Sequence, residues 1–362
     1  MSASSLSHRS SRAQLPGLLY WGIFSQALEN IHHPASNPNG VVSFCVAENC
    51  LSGSLIAEKL HATTSSSWSI PGQLCYGDMR GRQGLRKTFS ALAERRITGG
   101  SKVDFTKLSI GGGCGALIQH LAFLLLDPGD AVILVTPTYG MLYNDFGVLA
   151  GVSVVDIPIE PGSPILPSDL TAAYNRAITQ GLRPKMLFLL NPDNPLGTIR
   201  SNDEIQVILI WVDAQGPDFH IVSDEIYALS VYDEDKTFTS VAQIRRDNAG
   251  SDETNDLYLG NNTHILWGAS KDFCASGLRM GVLFSHNSAL LSALSNVGYF
   301  SAACNSMQDA FAVALSDVPW VDFFVAENHR RLREARDLVC YFLDKAGVPY
   351  IRPSAGLFIW MD

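Results

Sequence analysis

Between Ala131 and Phe284 the chain alternates short apolar runs with segments of helical length, and this alternation points to a mostly parallel α/β sheet. The runs are Ala131-Val-Ile-Leu-Val135, Val152-Ser-Val-Val155, Met186-Leu-Phe-Leu-Leu190, Phe219-His-Ile-Val222, His264-Ile-Leu-Trp267 and Gly281-Val-Leu-Phe284. In an open sheet of this kind, ligands bind beyond the carboxyl ends of the strands. The polar residues that follow each run are therefore where chemistry is expected.

Three such segments stand out. Lys271 follows one run in Trp267-Gly-Ala-Ser-Lys-Asp-Phe-Cys-Ala-Ser-Gly-Leu-Arg-Met-Gly281, with Ser270 before it and Arg279 eight residues after it. A serine–lysine pair alone describes a solvated surface just as well. Asn191-Pro-Asp-Asn-Pro-Leu-Gly-Thr198 follows Met186–Leu190 and contains Asn194; alone it reads as an ordinary turn. Ser223-Asp-Glu-Ile-Tyr227 follows Phe219–Val222, and an acid there often only caps a helix. Because all three follow strand-like runs, they are expected to face one crevice, and together they meet the needs of pyridoxal phosphate: an amine for its aldehyde, an acid for its ring nitrogen, donors for its phenolate and an aromatic cover. Upstream, Gly111-Gly-Gly-Cys-Gly115 precedes an apolar run of helical length from Ala116 to Leu126, where bare N–H groups can approach a phosphate.

At this point the chain resembles fold-type I pyridoxal-phosphate enzymes of the class I/II aminotransferases, in the branch that holds 1-aminocyclopropane-1-carboxylate (ACC) synthases. The residues that carry the branch resemblance are Tyr20-Trp-Gly-Ile-Phe24, Asn37-Pro-Asn-Gly-Val41 and Cys45-Val-Ala-Glu-Asn49. Further matches are Gly81 with Leu85-Arg-Lys87, Asp127-Pro-Gly-Asp130, Thr136-Pro-Thr-Tyr139 and Gly356-Leu-Phe-Ile-Trp360. The likeness runs from about Leu19 to Asp362.

The resemblance implies roles. Lys271 matches the lysine that holds the cofactor as a Schiff base and moves the α-proton on the way to a quinonoid intermediate. Asp224 matches the partner of the ring nitrogen, Asn194 and Tyr227 the donors to the phenolate oxygen, and Tyr139 the ring that stacks on the cofactor. Cys114 and Gly115 through their backbone, with Ser270 and Arg279, match the phosphate cup. Tyr76 lies where aminotransferases carry a tyrosine that reaches the neighbouring subunit's phosphate, which implies a homodimer. Glu48 stands where ACC synthases place an acid near the substrate; an exposed or capping glutamate is the alternative.

The resemblance also fixes the expected domains. Residues 1–18, rich in Ser and Arg, are expected to be disordered. Residues 19–50 form an arm and the first strand of a smaller α+β domain, residues 51–290 the large cofactor-binding domain with its mostly parallel central sheet, and residues 291–362 a connecting helix and an incomplete part of the small domain. Within the last segment Trp320, Phe323, Phe324, Leu332, Leu338, Tyr341 and Phe342 outline a long amphipathic helix. Residues 233–262 are polar, with Arg245–Glu253 an exposed loop.

Composition excludes other classes. A net charge of −9 argues against nucleic acid as a partner. Cysteines at 45, 50, 75, 114, 274, 304 and 340 form no close pairs of the kind that hold zinc and no disulfide scaffold, and with no signal peptide they point to a cytoplasmic setting. The longest apolar stretch stops at Asp127, too short for a membrane span.

Four departures from the family pattern bear on the reaction. Gly268 replaces a serine three residues before the lysine, Gly115 replaces the usual threonine of the cup, and Met79 stands where ACC synthases carry a tyrosine. The chain ends at Asp362, where relatives continue into a segment with the arginine that clamps the substrate carboxylate; Arg352 does not match it, so the resemblance implies a fragment, a truncated chain or a clamp placed elsewhere. Transamination of an amino acid to a keto acid is the first expectation. Carbon–sulfur lysis or ACC formation, in secondary metabolism, is the second, and an inactive homologue with a non-catalytic role the third.

Overall fold

The computed structural model describes residues 7, 9–14, 20–44, 46–64, 72–244 and 259–361. Seven strands build its main sheet: β1 (Leu108–Gly111), β2 (Asp130–Thr136), β3 (Ser153–Pro158), β4 (Arg183–Leu190), β5 (His220–Asp224), β6 (Thr263–Gly268) and β7 (Gly281–Ser285). Their spatial order is β1-β7-β6-β5-β4-β2-β3. The pairs β2–β3, β2–β4, β4–β5 and β5–β6 are parallel, whereas β7 runs antiparallel to both β6 and β1. All six runs read from the sequence are strands. The seventh, β1, is a buried edge of four residues, too brief to show as a run.

Side chains along the central strands alternate between two cores, one on each face, because successive residues of a strand point to opposite sides. Leu187 and Leu189 of β4, Ile265 and Trp267 of β6 and Phe284 of β7 enter one core with Leu85, Phe89 and Phe324. Met186, Phe188 and Leu190, with Leu266 and Leu283, enter the other with Leu117, Leu121 and Phe146. Covering both faces with helices leaves only the loops at the strand ends free to carry polar side chains.

The helix Val318–Ala346 connects the sheet to the last residues. It starts where the Asp317 carboxylate accepts the Trp320 N–H at 3.1 Å, with a proline in its first turn, and stops at Gly347, whose φ of +67° suits glycine. Its buried stripe is Val321, Phe324, Val325, Leu332 and Cys340. Phe323, Leu338, Tyr341 and Phe342, expected on that stripe, are exposed instead, because the core face follows Val321 and Phe324 around the helix. Phe324 stacks on Phe273, two residues past Lys271, with ring centres 5.5 Å apart. Removing such a ring costs about 3–5 kcal/mol.

In the first segment Ser10–Gln14 is helical, and the Arg12 guanidinium donates to the carbonyls of Val148 and Leu149; residues 1–6, 8 and 15–18 lie outside the described residues. The arm region forms the helix Tyr20–Leu28 and isolated bridges such as Ile31–Val41, with no strand among its described residues. Strand Tyr350–Ile351 pairs with Trp360–Met361. The expected loop Arg245–Glu253 lies outside the described residues. Among the described residues no helix is long and apolar enough to cross a membrane, and no group of histidine, cysteine and acid side chains is arranged to hold a metal.

Candidate active site

Strand ends converge at one place. Leu190 of β4 sits opposite Asp224 of β5, so the loops bearing Asn194 and Tyr227 leave the sheet side by side. Asp224 is in turn opposite Leu266 of β6, which ends at Gly268; a single helical turn, Ala269–Asp272, then carries Lys271. Two residues after Arg279, β7 begins at Gly281, packed so closely on the helix Cys114–Leu125 that a Cβ there would lie 2.6 Å from the carbonyl carbon of Gly113. Only glycine allows that approach.

The Lys271 ammonium donates to the Ala47 carbonyl oxygen at 2.5 Å. Burial lowers its pKa, and Glu48, the strongest charged neighbour, opposes that shift. A desolvated amine of this kind is readily uncharged and nucleophilic. Asp224 is 6% exposed, and its Oδ1 accepts the Ile226 N–H at 3.2 Å. Burial pushes its carboxyl up to about 7, while the Ile226 bond and the Lys271 charge pull the other way. A cation facing Asp224 would restore its charge.

Tyr227 is buried, and burial with the nearby Asp224 raises its hydroxyl well above the usual phenol range, so it remains a donor. The Phe358 ring meets the Tyr227 ring edge-on at 5.3 Å and fixes its orientation. Tyr139 is a further electrostatic neighbour of Tyr227 and is 42% exposed, open to contact through its ring.

An anion cradle lies beside these groups. Gly113 caps the helix Cys114–Leu125 with φ of +96°, and a Cβ there would fall 2.4 Å from Nη2 of Arg279. The guanidinium thus lies over the helix N-terminus, where the first N–H groups have no partners within the helix and the dipole is positive. Arg279 itself holds φ of +53°, a strained value for a side-chain-bearing residue, and its Nη1 donates to the Ser276 carbonyl at 2.9 Å. Ser270 is buried on the lysine turn, Gly115 sits in the first turn of the helix, and the Cys114 thiol is turned inward to the Trp267 carbonyl at 3.2 Å. A desolvated amine, a buried carboxyl and a cationic cradle that a Cβ would fill together fit pyridoxal phosphate.

Lys271, Asp224, Tyr227, Tyr139, Cys114 and Arg279 thus share one electrostatic environment, with Gly115 and Ser270 on the same elements and the exposed Glu48 acting on Lys271. Asn194 is partly exposed in the loop after β4. Tyr76 stands apart: it is 86% exposed beside a cavity of about 590 Å³ lined by Met79, Ile110, Tyr299 and Gln308 among others. Two residues escaped the reading of the sequence. Asp145, 8% exposed between the core residues Leu142 and Phe146, is raised to about 7 by burial and by Asp224. Its one sequence signal is an acid within an otherwise core-facing helical turn. Asp272, beside Lys271, is also buried.

The profile of the aminotransferase class I and II family matches residues 40–362. Rice (Oryza sativa subsp. japonica) 1-aminocyclopropane-1-carboxylate synthase 4 is 32% identical over 352 residues, which cover 92% of this chain and 70% of the rice protein. A mouse (Mus musculus) protein, described as a probable inactive 1-aminocyclopropane-1-carboxylate synthase-like protein 2, is 30% identical over 342 residues, 91% of this chain. The chain spans 56% of the length of that mouse relative. Among solved structures, Thermus thermophilus aspartate aminotransferase with maleate superposes with a TM-score of 0.78 at 23% identity, over 99% of this chain and 85% of that one. The shared sheet, the matched profile and the synthase-like relatives lead to one statement: this chain belongs to the aminotransferase class I and II family, whose enzymes depend on pyridoxal phosphate.

Proposed function

We propose that this protein transaminates an amino acid with pyridoxal phosphate held by Lys271. The single observation that carries this reading is the half-buried Lys271 amine, held by the Ala47 carbonyl and charge-coupled to the buried Asp224 carboxyl. Bound, the cofactor supplies an aldehyde for the lysine and an electron-withdrawing cationic ring for the substrate's α-carbon.

The chain's own residues do the rest. Asp224 holds the proton at the ring nitrogen, because a carboxylate in a dry site strongly favours a facing cation. Tyr227, kept protonated, donates to the phenolate oxygen with Asn194. Tyr139 covers the ring face. Arg279, Ser270 and the N–H groups of Cys114 and Gly115 grip the phosphate and set the orientation of everything else. Lys271, the amine that would hold the cofactor, is also the base that would move the substrate's α-proton.

The protein works as a homodimer in this reading, with Tyr76 reaching a second copy; exposed Tyr299 and Phe300 near it offer an apolar contact. A second reading, elimination at the substrate's β- or γ-carbon, is supported by the exposed Glu48, whose charge acts on Lys271 and which can orient a substrate amine or leaving group.

The test is recombinant protein loaded with pyridoxal phosphate and offered a panel of amino acids with a keto-acid acceptor. A new keto acid with the acceptor aminated supports transamination. Pyruvate with ammonia, or ACC, would replace it by elimination. A loaded protein that yields none of these products contradicts both.

A further inference from the structure

Asp272 directly follows Lys271 and is 4% exposed, yet both its oxygens are engaged. Oδ1 accepts the Ser230 hydroxyl at 2.6 Å and Oδ2 accepts the Leu229 N–H at 2.9 Å. Both donors lie in the turn after β5 that carries Tyr227, where the Ser230 N–H bonds the Tyr227 carbonyl at 2.9 Å and the Ala228 N–H bonds that of Glu225 at 2.9 Å. One carboxylate therefore joins the lysine turn to the tyrosine turn. The tyrosine turn is also tied from the other side: the Leu229 carbonyl meets His329 Nε2 at 2.7 Å, and the Ser230 carbonyl accepts the Gly356 N–H at 3.0 Å.

A buried acid makes sense only where its partners are fixed, since ionising it without donors is costly. Burial pushes the Asp272 carboxyl up to about 7, and the two donors hold it down against that. An apolar contact would join the turns without direction; two bonds to one rigid carboxylate set both distance and angle.

We propose that Asp272 is a positioning residue that fixes the Lys271 amine relative to the Tyr227 hydroxyl. The proposal rests on the reading that Lys271 holds pyridoxal phosphate and Tyr227 donates to its phenolate oxygen. On that reading the amine would bond the cofactor's aldehyde and the hydroxyl would donate to its phenolate oxygen, so their relative placement would set how readily that linkage takes a proton. Loss of the latch changes that property before it changes the fold.

The experiment uses the full chain, pyridoxal phosphate as the probe, and the variants Asp272→Ala, Asp272→Asn and Ser230→Ala. Asparagine can keep both bonds: its carbonyl oxygen takes the Leu229 N–H, and its amide donates to the Ser230 oxygen, whose hydroxyl turns round. The visible absorbance of the loaded protein is titrated with pH, and cofactor affinity is measured by fluorescence. Asp272→Ala is expected to move the titration midpoint by about one unit and to weaken cofactor binding about tenfold, the scale of one lost buried hydrogen bond to a charged group. Asp272→Asn stays near wild type, and Ser230→Ala falls between. Should Asp272→Ala fail to fold, Ser230→Ala alone carries the comparison. An alanine variant with lowered melting temperature but unmoved midpoint and affinity makes Asp272 merely structural and overturns the proposal, as does an asparagine variant as impaired as alanine. If wild-type protein itself shows no cofactor band, the Lys271 reading fails instead. The latch is then read in cofactor-free protein by hydrogen exchange, where Asp272→Ala but not Asp272→Asn must speed exchange at Leu229.

Discussion

Lys271 donates its ammonium to the carbonyl oxygen of Ala47 at 2.5 Å, so two residues 224 positions apart meet at the centre of the site. The Ala47 segment is held there by its neighbour Asn49, whose amide donates to Asn328 Oδ1 at 2.8 Å and whose oxygen accepts the Leu51 N–H at 3.2 Å. Both asparagines are buried, and Nδ2 of Asn328 has no partner among the described residues. Asn49→Ala is expected to destabilise the protein by about 1–3 kcal/mol, because it strands the second polar group of Asn328. Urea denaturation measures this; an unchanged midpoint would show that the amide pair holds nothing.

Asp145 predicts a pH effect. Its carboxyl titrates near 3.8 when unfolded and near 7 when folded, so the folded state binds the extra proton between those values. The stability it allows is therefore full below about 3.8 and is lost as pH rises through about 7. Asp145→Asn removes the titration. Its melting temperature relative to wild type is expected to be about 2–4 °C more favourable at pH 8 than at pH 5, the scale of roughly 1 kcal/mol in a chain this long. Scanning calorimetry of both proteins at the two pH values reads the difference, and an equal gap at both would contradict the burial assigned to this acid.

The cradle predicts cofactor affinity. Arg279→Ala removes a charge-assisted contact to the phosphate, and pyridoxal phosphate is expected to bind about 10–100-fold more weakly. Lysine restores only part, since it lacks the planar fork. Gly113→Ala acts on the same place by a different route: its Cβ would come 2.4 Å from the guanidinium at a φ of +96°, so the cradle must open. Equilibrium dialysis against the cofactor checks all three. Wild-type affinity in Gly113→Ala would mean that the phosphate sits elsewhere.

Asp224→Asn keeps the Ile226 hydrogen bond but not the charge. Turnover of the best amino donor is expected to fall about 100-fold or more, as when other preorganised charges are removed from active sites. Steady-state kinetics decides it, and a rate within a factor of two of wild type would remove Asp224 from its assigned role.

Much of this arrangement was legible in the sequence for a physical reason: strands buried on both faces need continuous apolar runs, and ligand-binding loops must follow them. Asp224 ends such a run and Lys271 and Arg279 follow one, and the three lie within one electrostatic environment. The edge strand Leu108–Gly111 was not legible, because four residues carry too little pattern. Asp145 was hidden because an acid in a helix reads as solvated, and only the packing of its helix buries it. Asp272 was hidden because its partners Leu229 and Ser230 lie more than forty residues upstream, brought close by the pairing of β5 with β6. On the helix Val318–Ala346 period alone could not choose between the stripe of Phe324 and the stripe of Phe342, since both faces carry aromatic residues.

The most direct measurement of the central claim is borohydride reduction of the protein saturated with pyridoxal phosphate, followed by proteolysis and mass spectrometry. The account predicts one stable pyridoxyl addition, on the peptide containing Lys271, absent from Lys271→Ala. A label spread over surface lysines, or one that persists in Lys271→Ala, would contradict it.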